Sequence, residues 1–405
     1  MNQRKGGKLS TLANDQLLPR EELYKRCPRN IKLNIGIPDN SASIEYSVPL
    51  TPQSVEVLVN NGHEVFIETG AGKEANYSDR AYAESGAVIC KSAAEIYQCD
   101  IILKMAPFTQ DESELMKGNQ LLLSPLYITL QTQDSIRRLM RKKVTAVGFE
   151  YMKDENGIFP VERIFSEIMG NCAIIVASEY LSTSRNGKGV ILGSITGISP
   201  TEVVILGSGT AAEYAARTAL ALGAIVKVFD DSISKLMDFQ SRLGQRVFTS
   251  VFHPKALRKA MRTAEVVIGA LSMNEVPKMI VPEEMVEGMK ENSIIIDLNI
   301  IQGGCLETSR ITNHKKPTYI EHGVIHYCVP NITSLVARTT SIAVSNILTP
   351  MLLQIGHSGG INQYVKTNPG FCEGIYVFNG VLTNPDIGEV LNIPVTDINL
   401  LMAAF

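Results

Sequence analysis

The chain has 405 residues, of which 45% are hydrophobic and 20% are charged. This length fits two or three domains, and the composition is that of a soluble globular protein. The formal net charge is −3 and no stretch is strongly basic, so the sequence lacks the clustered positive charge that is typical of a nucleic-acid-binding protein.

Membrane and secretory segments are not expected. No apolar run approaches the roughly 18 residues that span a bilayer, and no apolar signal follows the polar, basic start of the chain. The seven cysteines are scattered and form no C-x-x-C pair, a pattern typical of free thiols in a reducing compartment. The sequence therefore predicts a cytoplasmic protein without a metal site.

Residues 1–30 are polar, lack clear periodicity and are predicted to form an N-terminal extension. Short apolar runs then alternate with segments of helical period, which predicts βαβ units and a mostly parallel sheet. Thr51 and Pro52 are typical of a helix start, and Asn61-Gly62 of its end. The predicted strands are Leu33 to Ile37, Glu64 to Ile67, Ile101 to Met105, Leu121 to Leu123 and Val144 to Phe149.

The pattern changes near residue 150. Phe165 to Leu181 is predicted to be one long helix that connects two domains, and a glycine-rich loop follows it. The alternation of strands and helices restarts at Val203 and continues to Ile300. From Ser341 the chain becomes helical again, and these helices are expected to return to the first domain.

The strongest local motif is the turn Gly207-Ser208-Gly209-Thr210-Ala211-Ala212 between the apolar strand from Val203 and an alanine-rich helix. Glycine at 207 permits the tight turn, and glycine at 209 lets a pyrophosphate approach the backbone. Ala212 allows close packing of helix on strand. The N–H groups at the helix start would bind the phosphates, which predicts a Rossmann unit.

The next predicted strand ends at Asp230. An acid about 20 residues after the glycines suits the ribose hydroxyls of NAD and repels the 2′-phosphate of NADP. The positive charge of Lys235 partly offsets the negative charge of Asp230. The predicted cofactor is NAD, and the alternative is a glycine turn that binds no dinucleotide.

Further segments, in a shared order and spacing between about Ile35 and Ile355, resemble the alanine dehydrogenase and nicotinamide-nucleotide transhydrogenase α-subunit family. The match is closer to alanine dehydrogenase. These segments include Pro49 to Pro52, Asn61 to Val65, Glu68 to Gly72, Ser166 to Gly170, Gly187 to Gly189, Gln302 to Gly304, His322 to Tyr327 and Arg338 to Ser341.

The resemblance implies an α/β fold of two Rossmann-like doubly wound domains separated by a cleft, with the C-terminal helices returning to the first domain. The implied substrate domain comprises residues 31–165 plus 338–405, and the NAD-binding domain residues 166–337. It also implies a homo-oligomer, hexamer or dimer. The residues implied to line the NAD site are Ser166, Gly209, Thr210, Ala211, Asp230, Lys235, Leu271, Ser272, Leu298 and Asn331.

The family's catalytic groups are an arginine, a lysine, a histidine and an aspartate, and this sequence changes all four. Ser47 stands at the arginine position, and Tyr127 replaces the histidine. The lysine position falls on Met105 or Ala106, according to the direction of counting. Ile301 stands where the aspartate precedes Q-G-G. Serine lacks the charge and the bidentate fork with which arginine holds a carboxylate.

Three replacement groups are candidates for the chemistry: Tyr127, Lys104 and Arg163. Tyr127 can exchange a proton, although an ordinary tyrosine pKa of about 10 makes it a poor base at pH 7. Arg163, next to Glu162, can substitute for the missing cation. The alternatives are a core tyrosine, a structural strand-end lysine and a solvated surface pair.

These features predict an alanine-dehydrogenase-like, NAD-dependent oxidoreductase that acts on an amino acid, a 2-oxo acid or a related amine other than simple alanine. The alternative is a non-catalytic NAD-binding member of the family. A third hypothesis is an ordinary alanine dehydrogenase with relocated residues.

Overall fold

Two parallel-rich sheets form the framework of the molecule. The computed structural model describes residues 30–40, 45–271 and 279–404, so the predicted extension up to residue 29 and Ser272 lie outside the described residues. The strands are β1 (Asn34–Ile37), β2 (Glu64–Glu68), β3 (Val88–Cys90), β4 (Ile101–Leu103), β5 (Leu121–Ser124), β6 (Thr145–Gly148), β7 (Glu202–Leu206), β8 (Ile225–Asp230), β9 (Phe248–Val251), β10 (Val266–Gly269), β11 (Ile294–Asp297), β12 (Thr318–Glu321), β13 (Val324–Tyr327), β14 (Ile375–Phe378) and β15 (Val381–Leu382).

Helices cover both sheets and connect them. The helices are α1 (Pro52–Asn60), α2 (Asp79–Glu84), α3 (Ala93–Ile96), α4 (Gln110–Leu115), α5 (Gln133–Arg141), α6 (Pro160–Tyr180), α7 (Thr210–Ala221), α8 (Ile233–Leu243), α9 (Pro254–Thr263), α10 (Glu283–Glu287), α11 (Ala337–His357), α12 (Ile361–Thr367), α13 (Pro369–Glu373), α14 (Pro385–Leu391) and α15 (Ile398–Ala404).

The two sheets share one strand order. In the first sheet β3-β2-β1-β4-β5-β6 run parallel, with β14 antiparallel to β6 and β15 antiparallel to β14. In the second sheet β9-β8-β7-β10-β11-β13 run parallel, with β12 antiparallel at the edge. Each order reverses at its first strand, and ligands bind at such switch points, outside the carboxyl ends of the strands.

Helix α1 begins as the sequence predicts. The Thr51 side chain accepts a hydrogen bond from Ser54 N at 3.3 Å, and Pro52 occupies the first turn, where its missing N–H costs nothing. The helix ends at Asn61, followed by Gly62 with φ 87°. This positive φ favours glycine and turns the chain into β2.

The long connecting helix begins earlier than the apolar period predicts. Helix α6 starts at Pro160 instead of Phe165, with proline again in the first turn. Val161 packs in the core of the first sheet, whereas residues from Met169 to Leu181 pack in the core of the second. The extra turn matters because it carries Glu162 and Arg163 on the helix itself.

The C-terminal helices return to the first sheet. Val344, Leu348 and Leu352 of α11 belong to the same apolar core as Ile35 and Val55. Ile31 N donates to Gly356 O at 3.0 Å, which joins the start of the described chain to the end of this helix. Within the described residues, no helix is both long and apolar enough to span a membrane.

Candidate active site

The turn between β7 and α7 has the geometry that a dinucleotide requires. Gly207 has φ 110°, and a Cβ there would lie 2.1 Å from Ala270 O, so only glycine fits. A Cβ at Gly209, in contrast, would meet nothing within 4 Å. Ala212 is fully buried where α7 packs on the sheet. The N-terminus of α7 therefore faces open space, as a phosphate-binding helix start must.

Asp230 stands at the carboxyl end of β8, beside this turn. Its carboxylate accepts hydrogen bonds from Ser208 Oγ at 2.7 Å and Ser232 N at 3.0 Å. A carboxylate offers about four acceptor positions, so capacity remains for the hydroxyls of a ribose. Lys235 lies half-buried in the first turn of α8. The sequence did not identify Arg242, which donates to Ser208 O at 3.0 Å and pairs with Glu213.

A cavity of about 140 Å³ opens at the N-terminus of α7. Its walls come from α6, α7 and the segments that follow β10 and β11. It brings together six of the predicted NAD-site residues and places Asp230 nearby, at the end of the adjacent strand. The lining residues are Glu162, Ser166, Met169, Gly209, Thr210, Ala211, Ala270, Leu271, Leu298 and Asn299.

Glu162 forms part of this cavity wall, whereas Arg163 does not. Ser166 Oγ donates to Glu162 Oε1 at 2.9 Å, and burial raises the pKa of the Glu162 carboxyl. The half-exposed Arg163 side chain pairs with Glu167 at 3.1 Å. The two neighbours therefore have different partners, and the guanidinium is engaged by a glutamate of its own helix.

Polar groups at the end of β11 and directly after it support this wall of the cavity, and they were not predicted from the sequence. Asn299 accepts a hydrogen bond from Leu271 N at 2.8 Å and donates to Leu271 O at 3.1 Å. The buried Asp297 accepts from Asn299 N, Cys305 N and Ser309 Oγ. Polar residues directly after an apolar strand were the available signal, because strand ends at this edge lie beside the ligand.

Tyr127 follows β5, at the carboxyl edge of the first sheet, and has φ 41°. A non-glycine residue rarely adopts this left-handed conformation. Glu150 holds the turn, because its Oε1 accepts from Leu126 N at 2.7 Å and from Tyr127 N at 3.4 Å. Burial, then Glu150 and Glu45, raise the pKa of the Tyr127 phenol, which therefore stays neutral at ordinary pH.

Glu150 is itself unusual and was not predicted from the sequence. Its Oε2 is buried without a hydrogen-bond partner among the described residues. Burial raises the pKa of this carboxyl to about 7, against hydrogen bonds that lower it. A glutamate poised near neutral pH beside a cleft is a candidate functional group.

The two sheet edges touch where the family's acid–base residues would stand. Thr129 Oγ1, two residues after Tyr127, donates to Ile301 O at 3.1 Å. Ile301 lies in a short 3₁₀ helix, Ile300–Gln302. The Tyr127 loop and the Ile301 loop are therefore in direct contact at the carboxyl edges of the two sheets.

Ser47, at the position of the family's arginine, is a hydrogen-bond donor to Glu45. Its backbone N donates to Glu45 Oε1 at 3.0 Å, and its hydroxyl donates to the same oxygen. Ser334 Oγ donates to Glu45 Oε1 at 2.8 Å, and Asn331 Nδ2 lies 3.4 Å from Oε2. The Glu45 carboxylate therefore joins the segment before α1 to the segment after β13.

Lys104 lies in a buried ion pair. Its ammonium contacts the Glu112 carboxylate and donates to Pro107 O at 3.3 Å. Burial lowers the pKa of Lys104, while Glu112 opposes that change. Met105 and Ala106, the two positions for the family's lysine, are buried. These contacts engage Lys104 within the first domain.

Two family models match the chain. The model described as alanine dehydrogenase/PNT, N-terminal domain, matches residues 36–169, and the C-terminal domain model matches residues 173–385. An alanine dehydrogenase from Methanococcus maripaludis is 36% identical over 366 residues, covering 89% of this chain and 97% of that protein. One from Geobacillus stearothermophilus is 31% identical over 372 residues, covering 91% and 100%.

Solved structures give the same result. An L-alanine dehydrogenase has a TM-score of 0.81 at 32% identity, covering 88% of this chain and 99% of that one. A transhydrogenase from Sinorhizobium meliloti has a TM-score of 0.72 at 20% identity, covering 87% and 99%, a likeness of fold alone. These matches confirm the predicted two-domain α/β fold.

Proposed function

Because the chain belongs to the alanine dehydrogenase/PNT family, as its sequence predicts, we propose that it is an NAD-dependent oxidoreductase acting on an amino acid or a related amine other than simple alanine. The observation that carries the proposal is the cavity at the N-terminus of α7, lined by Gly209, Leu271 and Leu298. NAD, when bound there, accepts a hydride. The open space at Gly209, the helix N-terminus and Asp230 all fit a dinucleotide.

The substrate half of the cleft supports the second part of the proposal. The groups around Tyr127 raise its pKa, so its hydroxyl stays protonated and can act on the substrate as a hydrogen-bond or proton donor but not as a base. Glu150 fixes the Tyr127 turn through two backbone N–H groups. Ser47 carries no charge with which to hold the carboxylate of alanine. Tyr127 is thus the proposed proton-handling residue, while Lys104 and Arg163 are engaged by Glu112 and Glu167.

The test measures NADH formation with saturating NAD over a panel of amino acids, N-substituted amino acids and amines. We expect turnover of at least one compound, with alanine well below it. Tyr127→Phe should then lower kcat by about 10²-fold or more, the usual range for a lost proton-transfer group. Glu155→Gln, in an exposed loop, is the matched control and should leave kcat unchanged. A flat response, with NAD binding demonstrated, would overturn the proposal.

A second candidate is a non-catalytic NAD-binding protein. The hydrogen bond from Thr129 to Ile301 O favours it, because this contact closes the two loops on each other at the acid–base positions. It predicts NAD binding that raises the unfolding temperature but no turnover over the same panel. Turnover that is lost in Tyr127→Phe would exclude it.

The domain division is also a proposal: residues 31–165 with 338–405 form the substrate domain, and residues 166–337 bind NAD. The position of β14 beside β6 supports it, because this strand brings the end of the chain into the first sheet. The homo-oligomer, hexamer or dimer, and the cytoplasmic location stay predictions from the sequence.

A further inference from the structure

A second cavity, of about 700 Å³, opens beside the first sheet. Its walls come from the start of α1, the loop between β2 and α2, the first residues of α2 and the start of α11. It shares no lining residue with the cavity at the N-terminus of α7. Because its volume lies within the range of about 300 to 1,000 Å³ that is usual for small-molecule sites, it has room for a ligand of its own.

Positive charge predominates in the lining of this second cavity. The positively charged side chains are Lys73, Arg80 and Arg338. The one lining carboxylate, Asp79, is already engaged by the loop after β2, since Oδ2 accepts from Thr69 Oγ1 at 2.6 Å and Oδ1 accepts from Gly70 N at 2.9 Å. The formal net charge of the whole chain is −3, so this local excess of positive charge is not a property of the surface in general. A concave surface with such an excess attracts anions.

The Arg338 guanidinium is held in place with most of its donors unused. It lies over the ring of the buried Tyr77, 4.4 Å from the ring centre, and Nη1 donates to Asn76 O at 2.8 Å. Within the described part of the chain this is its one hydrogen bond, and a guanidinium has five N–H donors. Stacking on Tyr77 orders the side chain in advance, which reduces the entropy that it would lose on binding a ligand.

The Lys73 ammonium is the second available cation. Among the residues that the structure describes it has no ion-pair or hydrogen-bond partner, whereas Arg80 pairs with Glu84 at 2.7 Å. Lys73 and Arg338 thus bring unused donors to one cavity from two separate segments of the chain. Pro52, at the start of α1, adds apolar surface for the uncharged part of a ligand.

We propose that the second cavity binds a small molecule with two or more negative charges on oxygen, and that Arg338 and Lys73 hold these charges. Carboxylate and phosphate groups share this chemistry, and the guanidinium fork of Arg338 matches the paired oxygens of either. The site is independent of the proposed oxidoreductase activity, because no residue lines both cavities. An anion bound there would contact the starts of both α1 and α11 and would stabilise the folded chain.

The experiment titrates inorganic pyrophosphate, citrate and acetate calorimetrically into the full chain, with and without saturating NAD. We expect pyrophosphate or citrate to bind at one site per chain with a Kd below about 1 mM, and acetate at least about tenfold more weakly because it carries a single charge. Binding should weaken as the salt concentration rises. Tighter binding of pyrophosphate would identify a phosphate ligand, and tighter binding of citrate a carboxylate ligand; both support the proposal.

Variants assign the binding to this cavity. Arg338→Lys keeps the charge but loses the fork, and should raise Kd about tenfold; Lys73→Gln, whose side chain supports no contact in the fold, should raise it about fivefold. Lys366→Gln, exposed in α12, is the matched control and should leave Kd unchanged. Thermal unfolding checks that each variant folds. Absence of binding, binding that NAD abolishes, or a Kd that Lys73→Gln leaves unchanged would overturn the proposal, since the anions would then have no site or a site elsewhere.

Discussion

The two edges of the cleft have the same strand order but differ in how they are built. At the edge of the second sheet, ligand space is created by backbone: a glycine at 207, open space at Gly209 and the N-terminus of α7. At the edge of the first sheet the distinctive features are side-chain contacts, chiefly those of Glu45, Tyr127 and Glu150. Few residues satisfy a backbone constraint, whereas many satisfy a buried polar position. The edge proposed to bind the dinucleotide therefore keeps the family's sequence motif, while the edge proposed to bind the substrate differs from the family in its side chains.

The largest effect is expected at the edge of the second sheet, where the variants Gly207→Ala and Gly209→Ala are compared. Alanine at 207 combines φ 110° with a Cβ 2.1 Å from Ala270 O, and should lower the free energy of unfolding by about 2 kcal/mol or more. Alanine at 209 meets nothing and has an ordinary φ of −73°. We expect it to fold normally but to weaken NAD binding about tenfold, because the methyl occupies pyrophosphate space.

Chemical unfolding and titration of NADH fluorescence measure the two quantities separately. Gly209→Ala serves as the folding control for Gly207→Ala. If both variants lost stability equally, the close approach to Ala270 would not be what restricts position 207 to glycine. If Gly209→Ala bound NAD normally, the turn would not be the pyrophosphate site.

The substrate edge is tested by the pH dependence of stability at Glu150. The pKa of this carboxyl is about 7 in the folded chain and 4.5 when unperturbed. Folding therefore favours its protonated form over its ionised form by up to about 3 kcal/mol. The unfolded chain loses this proton first, and the free energy of unfolding therefore falls as pH rises from about 4.5 to about 7. Glu150→Gln keeps an acceptor for Tyr127 N and removes the charge. It should be more stable than wild type at pH 8, by an amount that shrinks toward pH 5.

Thermal unfolding of both proteins from pH 5 to pH 8 measures this difference. Glu155→Gln, five residues further along in an exposed loop, should give no pH-dependent difference from wild type. A stability difference for Glu150→Gln that stayed constant with pH would mean that Glu150 titrates as an ordinary glutamate.

The same contrast explains which features could be predicted from sequence. The Gly207 to Ala212 turn was predictable because strand, turn and helix are consecutive in the chain. The surroundings of Lys104 were not, since nothing local indicates that Glu112 folds back onto its ammonium. Glu45 was missed because its partners Asn331 and Ser334 lie 286 and 289 positions away and meet it only through packing. Side-chain chemistry built from distant segments leaves no periodic signal in either segment.

The preference for NAD over NADP tests the role of the Asp230 side chain at the end of β8. Asp230→Ser removes the charge at the end of β8 and the acceptor for Ser208 Oγ. We expect NAD affinity to fall about tenfold, because charge-assisted hydrogen bonds to the ribose are lost. The affinity for NADP should rise relative to that for NAD. Titration with both reduced cofactors checks this, and the control variant Asp238→Ser, exposed further along α8, should leave the ratio near that of wild type. An unchanged ratio in Asp230→Ser would remove Asp230 from the ribose site.

The smallest effect is expected at Glu162, the one acidic side chain among the described residues that line the cavity at the N-terminus of α7. Burial raises its pKa, and a nearby diphosphate would raise that pKa further because like charges repel. NAD binding should therefore take up a proton. Its affinity should fall as pH rises above the ordinary range of a glutamate, because the ionised carboxylate opposes the phosphates.

Glu162→Gln tests this directly, because glutamine can still accept the Ser166 hydrogen bond but carries no charge. NAD should bind about threefold more tightly to the variant than to wild type at pH 8, and about equally at pH 5, a modest effect for one partly screened charge. Glu179→Gln, exposed near the other end of α6, is the matched control. Calorimetry in buffers of different ionisation enthalpy gives the proton uptake itself. If wild type and Glu162→Gln take up the same number of protons on binding NAD, another group is responsible for the uptake. If the uptake disappears in Glu162→Gln, a buried carboxyl titrates in the cofactor cavity as Glu150 does at the edge of the first sheet.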